Sequence, residues 1–183
     1  MSMDFGKLSF VFVIFFVIFL SVSLVAFDLD FYSEYSSDAL EAGNVFSYFV
    51  FGGFDSTGYS GEELVHLKDV RVLLLACFGL CLVSFFFVVY MFWKGLYASL
   101  FYGGLGGIGL LFVFVLLGLF AFDWLFLAFH KIAFFNDYWL LPADSKLILT
   151  FPFEFFYLAF FRVLVYAFVL SGLFALIGKF KKN

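Results

Sequence analysis

Four apolar runs, each long enough to cross a bilayer, constrain this chain more than any other feature. They cover residues 8–27, 71–93, 99–122 and 154–177. A hydrocarbon core needs about 20 apolar residues at the helical rise. In lipid, backbone polar groups must be satisfied within the protein, so such runs become helices. Hydrophobic residues make up 66% of the 183, and the mean hydropathy is +1.13, whereas a soluble domain is about half apolar. Too little polar surface remains to cover a water-soluble globule. The expected fold class is an all-α membrane protein, a four-transmembrane-helix bundle forming a single membrane domain over residues 1–183. The outer segments 28–70 and 123–153 would make a small extracellular cap.

The first run is too long for the apolar part of a signal peptide, and Val25-Ala26-Phe27 is a poor cleavage site. It is expected to be a retained helix. Within the first outer segment, Asp38 to Phe51 reads as a short helix that Gly52-Gly53 would stop. A strand over Val45 to Phe51 is the alternative. Ser60 with Glu63 fits the S-x-x-E capping box. The spacing therefore predicts one long helix from Gly61 to Trp93, with only its part from Arg71 onward in the bilayer. Lys94 to Ala98 is a short loop. The third run opens with Gly103-Gly104-Leu-Gly106-Gly107-Ile-Gly109, a pattern that lets helices approach closely. A phosphate-cradling loop would need a preceding strand and a following Lys-Ser/Thr, which are missing. Pro152 suits the start of the fourth helix. Cys77 and Cys81, at i,i+4 spacing inside one apolar run, read as small packing residues.

Charge gives the expected orientation. Lys7, Lys94, Lys179, Lys181 and Lys182 fall on one side, with Asp4 as the only acid there. The other acids belong to the two outer segments or their edges. The positive-inside rule then puts both termini in the cytoplasm and both long segments outside, in a multi-pass cell-membrane protein.

The chain has two histidines, and each lies within a few residues of an apolar run on the same expected side. His66 has Glu62 four residues before it, Glu63 three before and Asp69 three after. On a helix, any of these carboxylates could accept its Nδ1 proton and leave Nε2 free as a base. His130 sits between Trp124-Leu-Phe-Leu-Ala-Phe129 and Lys131-Ile-Ala-Phe134-Phe135. Partial desolvation among aromatics favours a neutral imidazole. Each histidine taken alone could equally be an ordinary interfacial residue. Together they form a natural acid/base pair near neutral pH.

Other readings stay open. His66, His130 and carboxylates from Glu62, Asp69 or Asp137 could ligate zinc, although no H-E-x-x-H spacing supports it. A serine hydrolase lacks its G-x-S-x-G elbow. Arg162 lies about two turns into the fourth run, where a charge is costly and marks a functional-site hypothesis. Snorkelling or bonding to buried carbonyls would also explain it. Glu154 precedes it by eight residues on roughly the same face, with Tyr157 between.

Two motifs carry a family resemblance. The first is Ser60-x-Glu62-Glu63-x-x-His66-x-x-Asp69-Val70. The second is Phe129-His130-x-x-x-Phe134-Phe135-Asn136-Asp137-x-Trp139, followed by Asp144 and Pro152-x-x-Phe155-Phe156. With four spans and two outer segments, the chain resembles the tetraspan membrane family that includes the bacterial lipoprotein intramolecular transacylase. The resemblance implies a shift of the sn-2 acyl chain of a diacylglyceryl-cysteine to its α-amino group, giving a lyso-form lipoprotein. It implies His66 and His130 as the catalytic residues. Glu62, Glu63, Asp69, Asn136, Asp137, Trp139 and Arg162 are expected to orient them or contact substrate. Asn136 could also donate to an oxyanion. Such a transfer needs no cofactor or metal. The expected partners are a diacylglyceryl-lipoprotein substrate and membrane lipid, with no nucleic acid and a monomeric protein. The alternative is a non-enzymatic tetraspan protein that binds a lipid or a partner subunit.

Overall fold

The computed structural model describes residues 9–182. Asp4 and Lys7 of the charge argument, Leu8 at the head of the first run and Asn183 lie outside the described residues. Within them the chain is helical and has no strand. The elements are α1 (Phe10–Ala26), α2 (Leu29–Tyr35), α3 (Ala39–Phe51), α4 (Gly61–Trp93), α5 (Tyr97–Phe120), α6 (Phe122–Ala133), α7 (Lys146–Thr150) and α8 (Phe153–Lys182). Helices α4, α5 and α8 are long and apolar enough to cross a membrane. A fourth span results if α1 and α2, bent by 59° at their junction, count as one.

Local chemistry sets the ends of these helices. The Asp28 side chain accepts from the Phe31 amide and caps α2. Asp38 does the same for α3 through Leu40 and Glu41. The α3 helix closes on Gly52, whose φ of 86° is left-handed backbone that glycine adopts without a Cβ penalty. Helix rather than strand therefore occupies Val45 to Phe51. Ser60 and Glu63 exchange the two bonds of a capping box: Ser60 N–H to Glu63 Oε2 at 2.7 Å and Glu63 N–H to Ser60 Oγ at 3.2 Å. Ser145 caps α7. Helices α2, α6 and α7 lie largely within the stretches 28–70 and 123–153, where the sequence pattern predicts no helix at these positions.

The chain divides into two compact units. The first comprises the described residues of Met1–Leu24, Cys77–Leu116 and Phe161–Asn183. Its helices meet at missing side chains. A methyl group on Gly103 would fall 2.5 Å from Val13 Cβ and 2.9 Å from the Phe10 carbonyl of α1. One on Gly104 would fall 2.5 Å from both the Ala175 nitrogen and the Ser171 carbonyl of α8. Gly178 on α8 meets the Phe101 backbone in the same way. The glycine run thus places α5 against α1 and α8, as its spacing suggests. Phe12 and Phe87 stack at 4.1 Å, and the Ser9 and Ser99 hydroxyls lie 2.7 Å apart. Both cysteine thiols are free.

The second unit comprises Val25–Ala76 and Leu117–Phe160. Its core is aromatic. Phe31 lies 5.0 Å from Phe155, Tyr32 packs edge-on against Phe46, Phe151 and Phe155, and Phe122 meets Phe153, Tyr157 and Phe160. A polar cluster joins its two chain segments. Glu41 accepts from Asn44 and from the Tyr59 hydroxyl, and pairs with Lys146 at 2.6 Å. Lys146 also donates to the Thr57 carbonyl and lies over the Tyr59 ring. Burial pushes the Glu41 carboxyl up, but the bonds from Lys146, Asn44 and Tyr59 outweigh it and hold it below the usual range.

Candidate active site

The capping box starts α4 at Gly61, and this puts His66 in its second turn, ahead of the apolar stretch. The imidazole is half-buried, with the Phe134 ring edge-on at 5.0 Å. His130 lies in the last turn of α6 and is only 8% exposed. Its Nδ1 is 2.7 Å from the carbonyl of Phe126, one turn earlier. A carbonyl only accepts, so Nδ1 carries the proton and donates it, and Nε2 is left with its lone pair. Four rings surround this imidazole: Phe126 at 4.2 Å, Trp139 at 5.2 Å, Phe129 at 5.3 Å and Phe134 at 5.6 Å.

The two imidazoles come together. Their ring centroids are 6.1 Å apart and their planes are inclined by 31°. A substrate group or one water could touch both, well inside the roughly 10 Å beyond which a shared proton relay fails. Both are held neutral. Burial pushes His66 down, His130 beside it pushes further, and Asp69 pulls the other way, leaving it at about 4 against an ordinary 6.5. Burial also lowers His130, partly offset by its bond to the Phe126 carbonyl.

Of the carboxylates expected beside His66, Asp69 acts on it through its charge. Glu63 is 2% exposed and turned the other way. Its Oε2 takes the Ser60 amide, and its Oε1 takes the Leu147 amide of α7 at 2.8 Å. A carboxylate folded back over its helix start has no reach left for a residue one turn ahead. Glu62 is exposed. Asp69 accepts from the Asn136 amide at 2.8 Å, which ties the loop after α6 to α4. Asn136 Oδ1 in turn accepts from the Tyr138 backbone at 3.1 Å, holding the turn that delivers Trp139. Asp137 is exposed. Arg162 belongs to the first unit, where its Nε donates to the Tyr166 hydroxyl at 3.2 Å.

Among the described residues, no three His, Cys, Asp or Glu side chains converge so as to hold a metal ion. Phe126 was not singled out from the sequence. Its signal was present: it precedes His130 by four residues, which on a helix stacks ring on ring and aims the histidine's Nδ1 at its carbonyl.

Apolar spanning helices and two desolvated imidazoles in contact range define a class: a helical membrane protein equipped for acid–base chemistry. A sequence profile for "Lipoprotein intramolecular transacylase Lit" matches residues 53–156, more than half of the chain. The chain belongs to that family and is therefore a membrane acyltransferase of the lipoprotein-modifying kind. The structure is similar to that of the membrane integral lipoprotein intramolecular transacylase Lit from Bacillus cereus, with a TM-score of 0.82 and 20% identity. The match covers 97% of this chain and 95% of the other. A histidine-to-arginine variant of that protein matches with a TM-score of 0.71 at 18% identity, over 97% of this chain and 92% of the other. At such identity these likenesses speak for the fold. A search of curated protein sequences finds no match.

Proposed function

We propose that the chain moves the sn-2 acyl chain of a diacylglyceryl-cysteine lipoprotein to the cysteine's α-amino group, with His66 and His130 as the acid–base pair. The observation that carries this reading is the 6.1 Å approach of two neutral imidazoles among aromatic rings. The α-ammonium must lose a proton before its nitrogen can attack the ester. One imidazole takes it. The nitrogen adds to the acyl carbon, the tetrahedral intermediate collapses, and the C–O bond to glycerol breaks. The attacking nitrogen gives up a second proton to the imidazole pair, and the imidazolium so formed returns one proton to the departing alkoxide. Counted from the neutral amine, the net change is one N–H exchanged for one O–H, with an ester becoming an amide; the ammonium's extra proton passes through the imidazole to water. Nothing else is consumed.

The cyclic intermediate contains nitrogen, Cα, Cβ, sulfur, two glycerol carbons, oxygen and the acyl carbon. Rings of this size close reluctantly, so ordering the substrate is a large part of the catalysis. A water-poor aromatic lining suits that task and protects the ester from hydrolysis. Asp69 and Asn136 position the loop that bears Trp139. Glu63 orders the site from behind, through α7. Glu62, Asp137 and Arg162 remain candidates for contact with the lipoprotein chain or its lipid. The protein acts as a monomer with four spans, both termini in the cytoplasm and segments 28–70 and 123–153 on the outer face.

Mass spectrometry of a lipoprotein's N-terminus tests the reading. Expression of the chain in a host with diacylated lipoproteins should convert them to the lyso form. His66→Ala or His130→Ala should lower the rate by about 10²- to 10⁴-fold at unchanged protein level. An unaltered acylation pattern with the unsubstituted protein would overturn the proposal.

A further inference from the structure

Among the described residues no carboxylate bonds to His130, an unusual situation for a histidine asked to carry a proton. In a hydrolase triad an acid holds the imidazole's tautomer and stabilises the imidazolium once it forms. Here the first task falls to the Phe126 carbonyl, at 2.7 Å from Nδ1. The second is unassigned. The charged and titratable groups around this imidazole are few. On α4 it is His66 that faces the ring, while the Asp69 carboxylate acts on His66 and is bonded to Asn136. Lys131 and Asp137, close in the chain, are exposed. What lies against the ring is aromatic: Phe126 inclined by 44° at 4.2 Å and Trp139 inclined by 39° at 5.2 Å.

We propose that the rings of Phe126 and Trp139 take the place of the triad's acid, stabilising the positive charge on His130 while it holds a proton. The inference rests on the acyl-shift reading only for the source of that proton. An aromatic face carries negative charge density and attracts a cation within about 6 Å, more strongly when both are desolvated, and tryptophan is the strongest of the three rings. Unlike a carboxylate, a ring does not bind the resting α-ammonium as an ion pair or hold a second proton. It favours the imidazolium without making His130 permanently charged, so a neutral base persists at rest in an apolar setting. Trp139 is on this account a positioning residue that acts through His130. The Asp69–Asn136–Tyr138 chain of bonds holds it there.

Fluorination separates charge from shape. Tryptophans with one to four ring fluorines, placed at position 139 alone, keep the ring's outline while draining its face of negative charge. The chain has only two histidines, so ¹⁵N-histidine labelling in lipid nanodiscs yields two imidazole titrations, assigned with His66→Gln. The proton affinity of His130 should fall stepwise with each fluorine, by about three- to tenfold over the series. The rate of acyl transfer should fall in parallel, while His66 moves less. An unchanged His130 titration across the series overturns the inference. Should the unsubstituted protein fail to convert lipoprotein, the acyl-shift reading fails, and the titration still decides the role of Trp139.

Discussion

In the first unit, helices meet where side chains are missing. Gly103, Gly104 and Gly178 bring backbone against backbone, and the polar atoms exchanged are few, such as the Ser9 and Ser99 hydroxyls. In the second unit, contacts are made by groups that reach: the Glu41–Lys146 pair, the Asn44 bonds to Asp55 and the Glu63 bridge. The proposed placement of the second unit at the outer face would account for the difference. Lipid tails are as apolar as leucine, so burial gives spanning helices no reason to associate and close packing must serve. Near water, aromatic burial drives collapse and hydrogen bonds select one arrangement. Both histidines belong to the second unit, where a polar group can be placed and its tautomer fixed.

Substitutions that respect one unit and break the other test this contrast. The largest effect is expected for Gly104→Val or Gly178→Val, whose side chains must displace backbone. Each should cost about 1–3 kcal/mol or more, seen as a lower unfolding temperature in detergent. Gly109→Ala, with open space around it, should be neutral or slightly stabilising. Equal destabilisation at all three positions would mean that close approach is not what holds the first unit.

Glu63→Gln comes next. It leaves an amide that can still accept at one atom but not at both, so either the Ser60 or the Leu147 N–H loses its partner. A buried orphan donor costs about 1–3 kcal/mol. Hydrogen exchange should rise in α7 and the start of α4, and stay unchanged in α5. Exchange spreading evenly through α5 would show that the two units do not differ in this way.

Near neutral pH the smallest effect is expected from titration, because it is confined to acid conditions. His66 is lowered from 6.5 to about 4 in the folded protein, so the unfolded chain binds more protons between those values. Its contribution to stability is complete above about 6.5 and is lost as pH falls through about 4. The unfolding temperature should decline across that window, and His66→Gln should flatten the decline. An unaltered slope would mean that the imidazole is not desolvated.

Much of this was legible where the signal is local. Ser60 and Glu63 announced the start of α4, Gly52 announced the end of α3, and the glycine run announced the packing of α5. The histidines were paired by counting spans and charges, with no knowledge of distance. Less legible were contacts between distant segments. Glu41 and Lys146 carry no mark of one another in the sequence. Nor did anything show that a capping glutamate would be spent on a residue of α7, which removed it from His66. Helix α6 is less legible because the loop after it breaks its pattern. Phe122, Phe126 and His130, spaced by four, trace its buried face.

Three of the contacts that fix the second unit share a trait. His130 leans on the Phe126 carbonyl, Glu63 grips the Leu147 amide, and the Arg71 guanidinium caps α3 at the Tyr48 carbonyl. In each, one named side chain meets a part of the partner that every residue type possesses. Mutation can therefore exchange the partner's side chain without touching the bond. Only proline at position 147, which has no N–H, is barred outright. An architecture anchored in this way tolerates drift in half of its contact residues. Two chains can then diverge to one identity in five and still superimpose along nearly their whole length.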